Sequence, residues 1–376
     1  VNVAVIGGGL AGLAAAFRLS LGGARVTVLE AGSRWGGQIY TERASGFVLE
    51  HGAEGYAAPN VAAREFCTAI GLAGRLVSQL TMKTLIMDGT TLAPAPPGRA
   101  AELAGIQADR ADVGHGLTAL RGGMGELTTT LVAFLKRRAT LQLNQHVTHV
   151  TRQAQGWTVE TATGATLTTD AVLIATPALA AAQLVEASCE AAAAALAALT
   201  TLSSLSVHLA LPRSAVTHAL DASGCVALGG VAAEGLRACT FVTSKFPGRA
   251  PRERVLLRAF FRPGASLSID EPDERWVGLA VEALWRPLGV KGKPVDSWVA
   301  RWPNAIARYD DDHAARMALV REALDDAAPG LTLAGAAYQS AGVSGAIESA
   351  EAAGQRLLAP RRSRAQRYGW EGNGVS

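Results

Sequence analysis

The sequence predicts an α/β fold: a Rossmann-type dinucleotide-binding domain interrupted by an inserted α+β domain. Three observations carry that expectation. The chain opens on an apolar run rich in β-branched residues, Val1 to Ile6, which passes through Gly7, Gly9 and Gly12 into a helical stretch rich in alanine and leucine. A second apolar run from Arg25 ends on Glu30, eighteen residues after Gly12. Further buried-strand signals, Ala171 to Ile174 and the run reaching Gly335, lie far downstream, with alternating strand and hairpin patterns between them.

Each part of the first unit has a physical role. Gly7 permits the tight turn, Gly9 lets the backbone approach a pyrophosphate, and Gly12 lets helix and strand pack closely. Leu10 and Ala11 open the helix, whose first N–H groups and partial positive charge face the phosphates. Glu30 can accept hydrogen bonds from a ribose hydroxyl. Strand, glycines, helix, strand and terminal acid stand in one register, a far more specific signal than three glycines alone.

Next comes Arg34-Trp35-Gly36-Gly37, and then a strand and glycine-containing turn from Gly46 to Tyr56. With this second basic-plus-glycine element the N-terminal region resembles the amine oxidase and protoporphyrinogen oxidase superfamily of FAD enzymes. The resemblance implies a GR2-like FAD domain, with Ala31, Arg34, Gly36 and Gly37 completing the grip on the cofactor. It places Gly52 and Ala53 beside the flavin. His51 and Glu54 could be read as an acid/base pair, but the resemblance gives this position to cofactor support and the domain junction.

Composition bounds the alternatives. The chain has 376 residues, long enough for two domains, with 49% apolar residues and a net charge of +3. Its arginines are scattered, apart from a basic tail over 360–376 that reads as a solvated terminus, and nothing points to nucleic acid. The four cysteines have no metal-binding spacing and read as buried thiols in a reducing compartment; no metal is expected. No apolar stretch reaches the roughly eighteen residues of a membrane span, and a strand at the start leaves no room for a targeting peptide. The expectation is a cytoplasmic protein, with peripheral membrane contact and homodimerisation left open.

Further along, residues 60–76 read as one amphipathic helix. Asp88-Gly89 marks a hairpin that ends in a proline-rich bend at 94–99. In the family a similar bend opens the substrate domain, and Arg99 is the nearest match to an arginine facing a porphyrin propionate. Only about twenty-five residues then separate the bend from Gly122-Gly123, where relatives carry roughly a hundred. Fragments at 105–109 and 114–116 look family-like. Leu120 to Leu127 marks re-entry into the FAD domain and opens a helix to about Lys136; the resemblance puts the Val147 backbone on adenine and Ala175 near the flavin. Strands are expected over 202–211, 224–231 and 255–261, and a helix over 270–288. The turn Ser244-Lys245-Phe246-Pro247 through Arg249 is typical of protoporphyrinogen and coproporphyrinogen oxidases, with Lys245 and Arg249 read as solvated and an anchor for substrate carboxylates as the alternative. Trp302 is expected beside the flavin, His313 as a helix-start residue, and Gly335, Gly342 and Val343 at the pyrimidine end, where a helix dipole would stabilise reduced flavin.

The expected domains are therefore discontinuous: FAD-binding over 1–57, 122–190 and 311–359, and substrate-binding over 58–121 and 191–310. The resemblance implies oxygen-dependent oxidation of protoporphyrinogen IX or coproporphyrinogen III to the porphyrin in haem synthesis. This is a tetrapyrrole chemistry that requires no strong base, and no catalytic residue is singled out. The alternatives are another flavin amine oxidase or desaturase, or an FAD protein without independent catalysis.

Overall fold

The computed structural model describes residues 1–96, 98–104, 115–228, 235–264 and 266–359. The family-like fragment 105–109, the first residue of 114–116, part of the expected strand 224–231 and the basic tail lie outside them. A five-stranded sheet has the spatial order Ala139–Gln142, Arg25–Leu29, Asn2–Ile6, Ala171–Ile174, Leu331–Leu333, every pair parallel. A parallel sheet buried on both faces needs continuous apolar strands, and Val172, Leu173 and Ile174 are all fully buried.

One face of this sheet packs against helices Leu10–Leu21, Gly125–Leu135 and Gly342–Leu358. The alanines of the first helix keep it close to its neighbours. Gly12 is required there, because a Cβ at that position would lie 1.9 Å from Gly7 O. The other face is covered by the antiparallel strands Val147–Arg152, Trp157–Thr161 and Thr166–Thr169, and by helices Ala178–Val185, Glu190–Ala197 and His313–Ala327.

A seven-stranded sheet runs in the order Asp296–Ala307, Thr201–Pro212, Arg254–Phe261, Leu236–Phe241, Gly224–Ala227, Leu85–Asp88, Thr91–Pro94. Alternation sorts its side chains. Leu205, Val207, Leu209, Val255, Leu257, Ala259 and Phe261 form one face, a core shared with Trp276, Leu279 and Leu284 of helix Asp273–Leu288. The opposite face carries Ser206, His208 and Arg258, all buried, with His208 and Arg258 directly paired across the strands.

The stretch 60–76 is not a single helix. Asn60 Oδ1 caps helix Val61–Ala69 by accepting from Ala63 N–H at 2.8 Å, and Gly71, at φ +83°, ends it. Leu76–Ser78 then pairs as a strand with Leu117–Leu120. The four cysteines are buried free thiols. No helix among the described residues is long and apolar enough to cross a membrane.

Candidate functional site

Four of the five parallel strands end at residues the sequence singles out: Gly7 after Ile6, Glu30 after Leu29, Ala175 after Ile174, and Gly335 shortly after Leu333. The carboxyl edge of an open parallel sheet is where α/β folds take ligands, because loops diverge there and helix N-termini converge. Gly7 lies against Ala175: a Cβ on it would sit 2.5 Å from Ala175 O. Helix Leu10–Leu21 has Gly9 as its N-cap, with no capping side chain, and Leu13 N–H to Gly9 O at 3.0 Å is a first-turn bond of the helix. The N–H groups at Leu10, Ala11 and Gly12 thus sit at an uncapped helix start, a ready seat for a pyrophosphate.

Glu30 is fixed rather than free. One carboxylate oxygen accepts from Gly8 N–H at 2.6 Å and the other from Gly32 N–H at 2.7 Å. Each oxygen keeps acceptor capacity for a ribose hydroxyl, and Ala31 beside it is exposed. Gln145 N–H donates to Glu30 O at 2.8 Å, which brings the start of the Val147 strand to the same edge.

The second glycine element folds back onto the first. Gly36 N–H donates to Gly8 O at 2.8 Å, and a Cβ on Gly37 would lie 3.0 Å from Gly9 Cα. Arg34 donates to Gly37 O at 2.7 Å and lies over the Tyr40 ring. A Cβ on Gly52 would lie 1.6 Å from Gln38 O, so the turn carrying Gly52 and Ala53 is stacked on the same loop. Trp302 donates from Nε1 to His51 O at 2.7 Å, which puts it against this turn. On the other side, Gly335 N–H donates to Ser349 Oγ at 3.0 Å, and Tyr338 donates to Thr176 O at 2.6 Å. This holds the Gly335 loop to the helix that begins at Gly342 and Val343 and has no side-chain cap. Uncapped helix starts, close-packed backbone and an oriented acid form a cradle that fits a dinucleotide.

Arg99 is apart from this group: it is exposed and pairs with Glu102 at 2.7 Å, one turn along its own helix. His51 and Glu54 do not form an acid/base pair. His51 bonds Glu42 at 2.7 Å and stacks on Tyr40, whereas Glu54 pairs with Lys245. That pairing also corrects the reading of the 244–251 turn as solvated. Lys245 is largely buried, and Arg249 is 1% exposed, donating to Leu120 O at 3.0 Å and lying 3.6 Å from Glu50. His313 does begin a helix.

A residue missed by sequence reasoning completes the junction. Arg258 is buried mid-strand and donates to His51 O at 2.8 Å and Gly52 O at 2.9 Å. A charged residue inside an otherwise apolar strand run was the available signal. Burial pushes its guanidinium down to about 10, against the pull of Glu54 and Glu50, so it remains a cation at neutral pH. Burial pushes the Glu54 carboxyl up, but Lys245, Arg258 and Arg249 together leave it below the ordinary carboxylate value. Burial raises Glu50, which accepts from Thr41 and Met124 N–H. Burial, with Arg258 and His51 nearby, holds His208 well below the usual histidine value. Among the described residues no group of histidine, cysteine and carboxylate side chains could hold a metal.

Comparison with known proteins gives this geometry a context. The model of the flavin containing amine oxidoreductase family matches residues 99–358, and that of an NAD(P)-binding Rossmann-like domain matches residues 5–70. A coproporphyrinogen III oxidase of Bacillus subtilis (strain 168) is 24% identical over 460 aligned positions, covering 94% of this chain and 97% of the relative. The alignment is longer than the chain, so the relative carries segments that this sequence lacks. Among solved structures, a chain from Exiguobacterium sp. 255-15, provisionally named a protoporphyrinogen oxidase, superposes with a TM-score of 0.82 at 22% identity, covering 95% of this chain and 98% of that one. A putrescine oxidase superposes with a TM-score of 0.71 at 16% identity, covering 95% and 99%. These two establish the shared fold.

Proposed function

We propose a substrate from one premise: the chain belongs to the flavin containing amine oxidoreductase family and is an FAD-dependent oxidoreductase. The substrate proposed is a porphyrinogen, coproporphyrinogen III or protoporphyrinogen IX, oxidised to the porphyrin at the expense of oxygen. The observation that carries this reading is the alignment with a coproporphyrinogen III oxidase across nearly the whole of both chains. The Ser244 to Pro251 turn, built into the domain junction through Lys245 and Arg249, supports it.

The residues proposed to hold FAD are those at the strand ends. Gly7, Gly9, Leu10, Ala11 and Gly12 present backbone N–H groups to the pyrophosphate, Glu30 and Ala31 take the adenosine ribose, and the Val147 segment takes adenine. Arg34, Gly36 and Gly37 close over the phosphates. Gly52, Ala53, Ala175 and Trp302 flank the ring, and Gly335, Gly342 and Val343 face its pyrimidine end. When bound, FAD accepts the electrons two at a time and passes them to oxygen, so that one porphyrinogen and three oxygen molecules give one porphyrin and three hydrogen peroxide. The chain's own task is to hold that ring against a flat apolar substrate and exclude water. The pyrrole N–H groups of the substrate lose protons readily once the macrocycle is oxidised, and no dedicated base is assigned. Arg99 is proposed to face a substrate carboxylate; it would have to release Glu102 to do so.

The test is turnover of each porphyrinogen by the FAD-loaded protein, read as porphyrin fluorescence. An amine oxidase is the competing reading, and amine-dependent bleaching of the flavin would select it.

A further inference from the structure

The cofactor loop is backed by three layers of chain. Gly9 lies on Gly37, Gln38 lies on Gly52, and the His51–Gly52 turn lies on the seven-stranded sheet. Four hydrogen bonds from three side chains cross that last boundary. Arg258 donates to two consecutive carbonyls of the turn, Trp302 donates to one of the same carbonyls, and Gln38 donates to Ala305 O at 2.7 Å. The turn and its glycine loop thus have no independent position; the sheet sets it.

Arg258 is an expensive way to make that contact. A buried guanidinium loses its hydration, and an apolar side chain in the same strand would avoid that cost. Among the described residues its Nε has no hydrogen-bond partner. The anions that balance it, Glu54 and Glu50, flank the same turn on the nucleotide side. A rigid fork that reaches two carbonyls at once is the property of arginine that no apolar residue supplies.

We propose that Arg258 is a positioning residue of the cofactor site: by fixing the Gly52–Ala53 turn, it lets the substrate sheet set how tightly FAD is held and how its ring is poised. The proposal rests on the reading of Gly52 and Ala53 as flavin contacts and not on the identity of the substrate.

The experiment compares full-chain holoproteins: the unsubstituted protein, Arg258→Met, Arg258→Lys and Trp302→Phe. FAD dissociation on dilution, the visible flavin band and the flavin midpoint potential are measured, with cooperative thermal unfolding as the check on folding. Arg258→Met is expected to hold FAD about ten-fold more weakly or worse, from the loss of two charge-assisted bonds, and to shift the potential to more negative values. Arg258→Lys should recover part of both losses, and Trp302→Phe should weaken FAD less than Arg258→Met. A folded Arg258→Met with unchanged affinity and potential overturns the proposal. If that variant does not fold, unchanged FAD affinity and potential in both Arg258→Lys and Trp302→Phe overturn it. FAD alone is the probe, so a failure here is separate from a failure to oxidise porphyrinogens.

Discussion

Replacing Gly12 with alanine would put a methyl carbon 1.9 Å from Gly7 O, a backbone atom that cannot rotate away. The helix must then shift from the turn that presents its first N–H groups, so Gly12→Ala is expected to purify with little or no flavin, read as the flavin-to-protein absorbance ratio. Residues of this kind were legible because spacing alone defines them: turn, helix start and terminal acid are all local in the chain. Lys245 and Arg249 were not, since a turn rich in charge and proline says nothing of what lies across from it. Glu54 and Lys245 are 191 residues apart. Lys245→Met would strand the Glu54 carboxylate inside the junction and should cost about 3 kcal/mol in urea unfolding, with Glu54→Gln plus Lys245→Met costing less than the two single changes added together.

At the scale of elements, the strand Thr201–Pro212 shows what period-two alternation can and cannot disclose. Its apolar face was readable, and it packs against helix Asp273–Leu288. Its other face carries His208, fully buried and edge-on to His51, whose chain segment belongs to the nucleotide side. No local pattern shows that a histidine sits under a distant segment of the chain. The consequence is measurable. Burial holds both His208 and His51 below the ordinary value of 6.5 in the fold. As pH falls through that value the unfolded chain takes up protons that the folded chain refuses, so these residues give stability above it that is lost toward acid. Urea midpoints should therefore fall between about pH 7.5 and about pH 5. Glu50, raised by burial, opposes this trend, and His218 and His313, also lowered, add to it. The comparison that isolates His208 is His208→Leu, which should show a shallower fall; an unchanged slope would remove His208 from the account.

At the scale of the whole molecule, the two largest sheets among the described residues, the five-stranded parallel one and the seven-stranded one, are linked through a polar seam. The parallel sheet supplies the dinucleotide edge, and the seven-stranded sheet meets the His51–Gly52 turn with Arg258 and Trp302, while the short helix after its strand Leu236–Phe241 brings Lys245 to Glu54. The sequence indicated both sheets because their strands are apolar or alternating; it could not indicate the seam, which consists of single residues from distant segments. The chain matches its coproporphyrinogen oxidase relative nearly end to end while lacking segments that the relative carries. The substrate is therefore the claim that most needs a direct answer. The measurement is an anaerobic mix of the FAD-loaded protein with coproporphyrinogen III and, separately, protoporphyrinogen IX, following the long-wavelength flavin band. The account predicts rapid bleaching with at least one of them and porphyrin fluorescence once air is admitted. A flavin that stays oxidised with both would contradict it.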